Sequence, residues 1–195
     1  MSHQLDPNIY PPPKNNLNKK EFNDLLDKLR ETHDPSWGGT TKEKGDRLES
    51  LCHYLFEKFT EYSTCQETFR RYTPEGKLLE EIDGILYLNE DRGIFKQFEK
   101  TIFLEAKNQS KKVKKNDLIQ FNHKVRKRDC KFGLMFSYSG YTQSCFQERN
   151  EILLMDKAKI LLFNLSDLEK ISNGTWPSKL LAEKFQLFLQ MGKDK

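Results

Sequence analysis

The chain has 195 residues, of which 36% are hydrophobic and 32% are charged, and its formal net charge is +4. A chain of this length most simply forms one domain with extensions. No apolar run approaches the length of a membrane span, and the first residues lack the charged and then apolar segments of a signal peptide. We therefore expect no membrane partner and a cytoplasmic protein whose cysteines are reduced. These cysteines are Cys52, Cys65, Cys130 and Cys145.

The first part of the chain reads as a tail followed by two helices. Residues 1–18 are rich in proline, which opposes helix formation, whereas residues 19–195 are expected to form a single domain. The segment from Asn18 to Thr32 is predicted to be a helix with one apolar stripe. Thr40 and Glu43 can form a capping box that opens a second helix. The apolar stripe of that helix contains Leu48, Leu51, Cys52, Leu55 and Phe59.

Three strands are predicted in the middle of the chain. Glu67 to Tyr72 is the first, and a turn with proline and glycine, Thr73 to Lys77, connects it to the second strand, Leu78 to Leu88. The third strand is the apolar run that ends at Lys107, and the turn-rich segment 89–93 lies between the second and third strands. Two apolar runs joined by such a turn predict neighbouring strands.

Helices and strands alternate in the rest of the chain. Asn116 and Asp117 are expected to cap a helix whose apolar residues face inward. The inward residues of that helix are Leu118, Phe121 and Val125. Further strands are predicted at 131–137 and 159–163, and further helices at 142–156, at 166–171 and from Trp176 onward. The apolar face of the last helix fits either packing inside the domain or a dimer surface. It carries Leu181, Phe185 and Phe188.

Asp83 on the second strand and Glu105 and Lys107 on the third predict one chemical site. Residues two apart in a strand share a face, so Glu105 and Lys107 lie together, and Asp83 lies beside them if the strands pair. Two carboxylates are the hard oxygen ligands that Mg²⁺ prefers, and such an ion activates water and neutralises phosphoryl charge. A lysine there could orient the water or stabilise the developing charge. The alternative is a solvated strand surface, because 32% of the residues are charged; Glu81 is a spare acid on the same face.

The order of these residues resembles the PD-(D/E)xK nuclease superfamily. Asp83 precedes Glu105-Ala106-Lys107 on consecutive strands, although Ile82 stands where the motif name has proline. Gly45 to Glu49 is similar to the Gly-x-x-x-Glu of the first helix in Mrr-like restriction endonucleases, and Phe132 to Thr142 is similar to their fourth strand and the glycine turn after it. The resemblance covers about residues 40–172, which we take as the catalytic core.

The resemblance implies a fold and a metal site. The expected fold is α/β: a restriction-endonuclease-like mixed β-sheet of about five strands flanked by helices. Its first three strands form an antiparallel meander, and its last two are reached through helices. Asp83, Glu105 and the carbonyl of Ala106 would bind Mg²⁺, for which Mn²⁺ can substitute. Lys107 would position the attacking water.

Further residues are expected to support this site and to bind DNA. By the resemblance, Glu49 is an outer ligand or binds a second ion, and Gln120 points into the site; an ordinary acid on a helix surface is the alternative for Glu49. Basic side chains in the loop after Lys107 and along the next helix are expected to contact phosphates, with a solvated helix face as the alternative. They are Lys111, Lys112, Lys114, Lys115, Lys124, Lys127 and Arg128.

These features predict a metal-dependent endodeoxyribonuclease that hydrolyses DNA phosphodiester bonds in restriction or anti-phage defence. The resemblance implies 5′-phosphate and 3′-hydroxyl ends. A structure-specific repair or junction nuclease is one alternative, and a non-cleaving nucleic-acid-binding subunit is the other, because specificity lies in loops and partners. One such cluster cuts one strand, so a homodimer or the nuclease subunit of a larger complex is expected.

Overall fold

A computed structural model describes residues 17–59, 63–66, 68–88, 98 and 100–191. The proline-rich segment before Leu17 and the turn predicted at 89–93 lie outside the described residues. The helices are α1 Lys19–Glu31, α2 Thr41–Phe59, α3 Lys115–Lys127, α4 Gln143–Asp156, α5 Leu165–Ser172 and α6 Pro177–Met191. The strands are β1 Ser63–Gln66, β2 Phe69–Tyr72, β3 Leu78–Ile82, β4 Gly84–Leu88, β5 Thr101–Lys107, β6 Phe132–Ser137 and β7 Lys159–Asn164.

The main sheet has five strands in the order β1-β4-β5-β6-β7. The pairs β1–β4 and β4–β5 are antiparallel, whereas β5–β6 and β6–β7 are parallel. Helix α3 connects β5 to β6, and α4 connects β6 to β7. The prediction of a mixed, helix-flanked sheet of about five strands is therefore confirmed. Its antiparallel part is β1-β4-β5, however, and not the predicted meander: the first predicted strand, Glu67 to Tyr72, corresponds to β2 in a separate two-stranded sheet, and β1 was not predicted.

The strand predicted from Leu78 to Leu88 is two strands that belong to different sheets. β3 pairs with β2 in a separate hairpin, the chain bends at Asp83, and β4 then enters the main sheet. Gly84 lies where the chain enters, and a Cβ there would come within 3.0 Å of both His53 Nε2 and a side-chain atom of Leu104. The close approach of α2 and β5 thus requires glycine at this bend.

Both faces of the main sheet are covered, which explains why its strands are apolar runs rather than alternating ones. On one face, Ile102 and Leu104 of β5 join a core built with α1, α2, α5 and α6. On the other face, Phe103 joins a second core built with α3 and α4. Because side chains alternate along a strand, Glu105 and Lys107 belong to the face of Phe103, under α3.

The helix ends follow local sequence signals, with one difference. Asn18 caps α1, since its Oδ1 accepts hydrogen bonds from the backbone N–H groups of Lys20 and Glu21. Thr40 and Glu43 form the predicted capping box at α2. Helix α3, however, begins one residue before Asn116, and Asp117 satisfies its start by accepting a hydrogen bond from Lys114 N. The predicted cap at Asn116 was therefore wrong, because Asp117, the third residue of the helix, forms the capping hydrogen bond.

Helix α6 packs inside the domain. Leu181, Phe185 and Phe188 are buried in the same core as α1 and α2. Of the two interpretations of this apolar face, the structure supports packing within the chain. No helix in the described part of the chain has the length and apolarity that crossing a bilayer would require.

Candidate active site

The bend at Asp83 and the end of β5 bring two carboxylates together. Gly84 pairs with Leu104 in the antiparallel register. Asp83, which precedes Gly84, therefore lies beside Glu105, which follows Leu104. Asp83 Oδ2 accepts a hydrogen bond from the backbone N–H of Ala106 at 2.7 Å. Asp83 is 8% exposed and Glu105 is 3% exposed. The predicted neighbourhood of Asp83 and Glu105 is therefore present at this edge of the sheet.

Two ammonium groups hold Glu105. Lys107 Nζ lies 2.6 Å from its Oε1, and Lys124 Nζ lies 2.7 Å from its Oε2. Lys107 shares the strand face of Glu105, whereas Lys124 reaches it from α3. A buried carboxylate is tolerated only when it is paired and hydrogen-bonded, and here each oxygen has its own cation.

The electrostatics of the cluster differ from one residue to the next. The pKa of Asp83 is raised to about 7, first by burial and then by the negative charge of Glu105, while the hydrogen bond from the Ala106 N–H opposes this shift. Burial lowers the pKa of Lys107, but attraction to Glu105 and the hydrogen bond between them outweigh burial, and the net shift is upward. Lys107 therefore stays protonated. An added positive charge near Asp83 would favour the ionised form of its carboxyl group.

The donor set fits a hard divalent cation. Asp83 and Glu105 offer carboxylate oxygens, and Ala106 lies between β5 residues of the site, where its carbonyl can add a third oxygen. Across the described residues, no three His, Cys, Asp or Glu side chains lie close enough together to form a metal cluster by themselves. An ion here would thus have two carboxylate ligands and would keep water in its remaining positions, as Mg²⁺ typically does.

Glu49 lies near the backbone carbonyl of Asp83 rather than near its carboxylate contacts. Its Oε2 accepts a hydrogen bond from the Thr68 hydroxyl at 3.0 Å. Burial raises the pKa of Glu49, and the bond from Thr68 offsets part of that shift. The Thr68 hydroxyl is also 3.5 Å from the carbonyl oxygen of Asp83. Glu49 is therefore linked to Asp83 through Thr68, and it lines a polar cavity of about 410 Å³ on the α2 side.

His53 is a contact that sequence reasoning missed. Its Nε2 lies 2.7 Å from the carbonyl oxygen of Asp83. A carbonyl only accepts, so Nε2 carries the proton and donates. His53 is one helical turn after Glu49 on α2, and that spacing was the only available sequence signal. The hydrogen bond from His53 to the Asp83 carbonyl anchors the bend that presents the Asp83 carboxylate.

Gln120 was predicted to point into the site, but the structure gives the contact with Glu105 to Lys124. Gln120 is exposed on α3, and it is Lys124, one turn later, that contacts Glu105. Both residues lie on the same side of the helix, so the sequence placed the right stripe next to the site. Which member of the stripe reaches the carboxylate depends on how α3 packs on the sheet.

The predicted DNA-binding residues fall into two groups. Lys111, Lys112, Lys114 and Lys127 are exposed. Three others pair with acids of the same chain: Lys115 with Glu148, Lys124 with Glu105, and Arg128 with Glu80. The spare acid Glu81 likewise pairs with Arg70 across the β2–β3 hairpin, at 2.9 Å.

A mixed sheet with an Asp and a Glu-x-Lys at one edge defines a nuclease domain of the restriction-endonuclease type. The restriction endonuclease family model, Mrr_cat, matches residues 40–163. The chain belongs to this family, which is part of the PD-(D/E)xK superfamily. The match begins at residue 40, where the core of about 40–172 expected from the sequence begins, and it ends at residue 163. No curated protein matches the sequence at a significant level.

Proposed function

We propose that this protein is a Mg²⁺-dependent endonuclease that hydrolyses DNA phosphodiester bonds. The observation that carries the proposal is the buried pair Asp83 and Glu105 with Lys107 and Lys124 on the two oxygens of Glu105. Two acids that point at one place are costly unless a cation joins them. The family membership supports nuclease chemistry on DNA.

In this mechanism Asp83, Glu105 and the Ala106 carbonyl would hold the ion. When bound, Mg²⁺ lowers the pKa of a water and neutralises charge on the phosphate. Lys107 orients the attacking water and stabilises charge that develops on the phosphoryl oxygens. Because an ion would compete for the oxygens of Glu105, Lys124 would be able to turn from Glu105 to a phosphate. The expected products have 5′-phosphate and 3′-hydroxyl ends.

The supporting residues keep the ligands in position. His53 and Thr68 hold the carbonyl of Asp83, and the Ala106 N–H holds one oxygen of its carboxylate. These bonds fix the carboxylate before the substrate arrives, which reduces the reorganisation needed during the reaction. We propose Glu49 as an outer group that acts through Thr68 or through water.

The test uses Asp83→Asn and Glu105→Gln, which keep the size of the side chains. Each should reduce Mg²⁺-dependent cleavage of a supercoiled plasmid by more than the roughly 100-fold that loss of a group supporting a ligand can cost. Thermal unfolding should show that both variants fold. Full cleavage by either variant would refute the site. Binding of DNA without any cleavage by the wild type would instead favour a non-cleaving subunit.

We propose restriction or anti-phage defence as the biological role, and the description of the matched family as restriction endonucleases supports it. A host that expresses the wild-type protein should plate phage less efficiently than one that expresses Asp83→Asn. Equal plating, together with preferential cleavage of branched DNA over plasmid, would point to a repair or junction nuclease.

A further inference from the structure

A groove between β3 and α3 borders the proposed cleavage site, and apart from Lys124 its lining residues have no part in the proposed reaction. Its volume is about 640 Å³, which is in the range of pockets that hold small organic ligands. The lining residues are Leu79, Glu80, His123, Lys124, Arg126 and Lys127. Lys124 also contacts Glu105 at 2.7 Å. The groove therefore begins within one side chain of the catalytic pair.

The α3 wall of the groove is basic. Arg126 is paired with Asp156 at 2.8 Å, and Lys124 is paired with Glu105. Lys127 is exposed and has no ion pair with any described residue. His123, also exposed, lies one turn before it. This wall is suited to a phosphate, which would meet Lys127 first.

The β3 wall offers two features that a phosphate alone would not use. Glu80 is 8% exposed; its Oε2 accepts from Arg128 at 2.8 Å, and its Oε1 is buried with no hydrogen-bond partner among the described residues. Leu79, next to it, is 53% exposed. A buried acceptor without a donor is uncommon in proteins and calls for an explanation. Rotation about the last torsion of a glutamate is soft, so Oε1 can turn toward the groove.

The combination narrows the ligand. A free anion would leave Leu79 and Glu80 Oε1 without a partner, because Glu80 is buried and paired with Arg128, and a simple cation would be repelled by the α3 wall. A nucleotide matches all three features, because it has a phosphate for the basic wall, a flat apolar ring face for Leu79, and an amino group for Glu80. Carboxylates accept hydrogen bonds from the exocyclic amine of cytosine in known modes of base recognition. A groove of about 640 Å³ has the size for a single nucleotide rather than for a base pair with its two backbones, so the nucleotide that fits it is unpaired.

We propose that this groove binds an unpaired nucleotide of the DNA strand beside the cleaved bond, with Glu80 accepting from the amino group of cytosine or adenine. Lys127 and His123 contact the phosphate, and Leu79 packs against the base. The inference rests on the proposed nuclease function, which it deepens by assigning a base preference next to the cut. Glu80 acts here as a specificity residue.

The experiment measures binding by the full-length protein in EDTA, where no cleavage is expected. Fluorescein-labelled oligo-dC and oligo-dT of about 12 nucleotides are compared by anisotropy at mildly alkaline pH. The two bases have the same size and differ where dC has an amine and dT a carbonyl. The wild type should bind oligo-dC about tenfold more tightly than oligo-dT. Glu80→Gln should lose this preference, because an amide can donate to the carbonyl of dT.

Two exposed positions keep the test independent of folding. Lys127→Ala should weaken binding of both oligonucleotides equally and reduce the salt slope by about 0.7, while Lys28→Ala, an exposed lysine on α1, should change neither. Leu79→Ala should weaken binding of both by about threefold. If Glu80→Gln fails to fold because Arg128 loses its partner, these variants decide the matter.

Equal binding of the two oligonucleotides by the wild type would overturn the proposal. So would a Lys127→Ala protein that binds as tightly as Lys28→Ala, or a protein that binds duplex DNA alone. A wild type that shows the dC preference but cleaves no DNA would keep the groove and overturn the nuclease mechanism. A wild type that cleaves DNA but shows no base preference would keep the nuclease mechanism and overturn the groove proposal.

Discussion

Lys107 is the residue whose role can be separated most cleanly from DNA binding. It lies 2.6 Å from Glu105 and is two-thirds covered, so it contacts the cluster rather than the surface. Lys107→Ala should reduce the cleavage rate by about 100-fold or more but change DNA affinity by less than about threefold, because one charge is a small part of many phosphate contacts. Single-turnover cleavage and anisotropy measure the two quantities. An affinity that falls as much as the rate would assign Lys107 to binding.

His33 makes a contact outside the Asp83–Glu105 cluster that we expect to depend on pH. Its ring stacks on Tyr138 at 3.5 Å, and its Nε2 lies 2.6 Å from Asn108 Oδ1, just after Lys107. Burial lowers the pKa of His33 from 6.5; the bond with Asn108 opposes this shift, and Lys44 adds to it. The contact ties the loop after α1 to the end of β5.

The sign of the resulting pH dependence follows from the lowered pKa. The unfolded chain binds the His33 proton more readily than the folded one, so the contribution to the free energy of unfolding is full above pH 6.5 and is lost as the pH falls through the folded pKa. Thermal unfolding of the wild type below that pH should show a decline that His33→Phe lacks, since phenylalanine keeps a ring but does not titrate. His123→Gln, an exposed control, should retain the wild-type dependence. Parallel curves for all three proteins would remove His33 from this role.

At the scale of elements, the packing of α3 on β6 sets the position of Lys124. A Cβ on Gly133 would lie 2.7 Å from the ring of Phe121, whereas one on Gly38 would meet nothing within 4 Å. Gly133→Ala should therefore push α3 away and lower the free energy of unfolding by about 1–3 kcal/mol. Gly38→Ala is the matched control and should stay within about 0.5 kcal/mol of the wild type. Denaturant unfolding measures both, and equal stability of the two variants would contradict this view of the α3 contact.

The loop between β5 and α3 is where phosphate contacts can be tested without disturbing the site. Lys124 and Arg128 hold buried carboxylates, so their removal would leave Glu105 and Glu80 with less compensation. Lys111 and Lys112 are exposed. Replacing both with Ala should weaken duplex binding and reduce its salt slope by about two, while the rate at saturating DNA stays near the wild type. An unchanged slope would move the DNA surface away from this loop.

For the whole molecule, the proposed function implies that one cluster cuts one strand, so a double-strand break would need two clusters. Leu181, Phe185 and Phe188 are buried in the core, so a dimer would need another surface. If the protein is monomeric without DNA, we expect it to nick plasmid first and to form linear DNA only as the protein concentration rises. Light scattering with and without DNA, beside a plasmid time course, measures this. A strict monomer that makes double-strand breaks in a single encounter would contradict the expectation of a dimer or partner subunit.

The sequence by itself determined most of the elements, the faces of their side chains and the family, although it missed β1 and the division of Leu78 to Leu88 into two strands. The period of two placed Glu105 and Lys107 on one face, and the period of α3 placed Leu118, Phe121 and Val125 inward, where all three are buried. These are local properties, because they depend only on backbone geometry and on which side chains avoid water. The capping box at Thr40 was predictable for the same reason.

The tertiary structure alone decided which distant groups meet. The bend at Asp83 depends on α2 and β5 closing on Gly84, and the contact of Lys124 with Glu105 depends on how closely α3 packs on Gly133. His53 reaches the carbonyl of Asp83 because two elements thirty residues apart in the chain lie side by side. A sequence period gives the direction of a side chain on its own element, but the partner at the end of that direction is set by the packing of other elements.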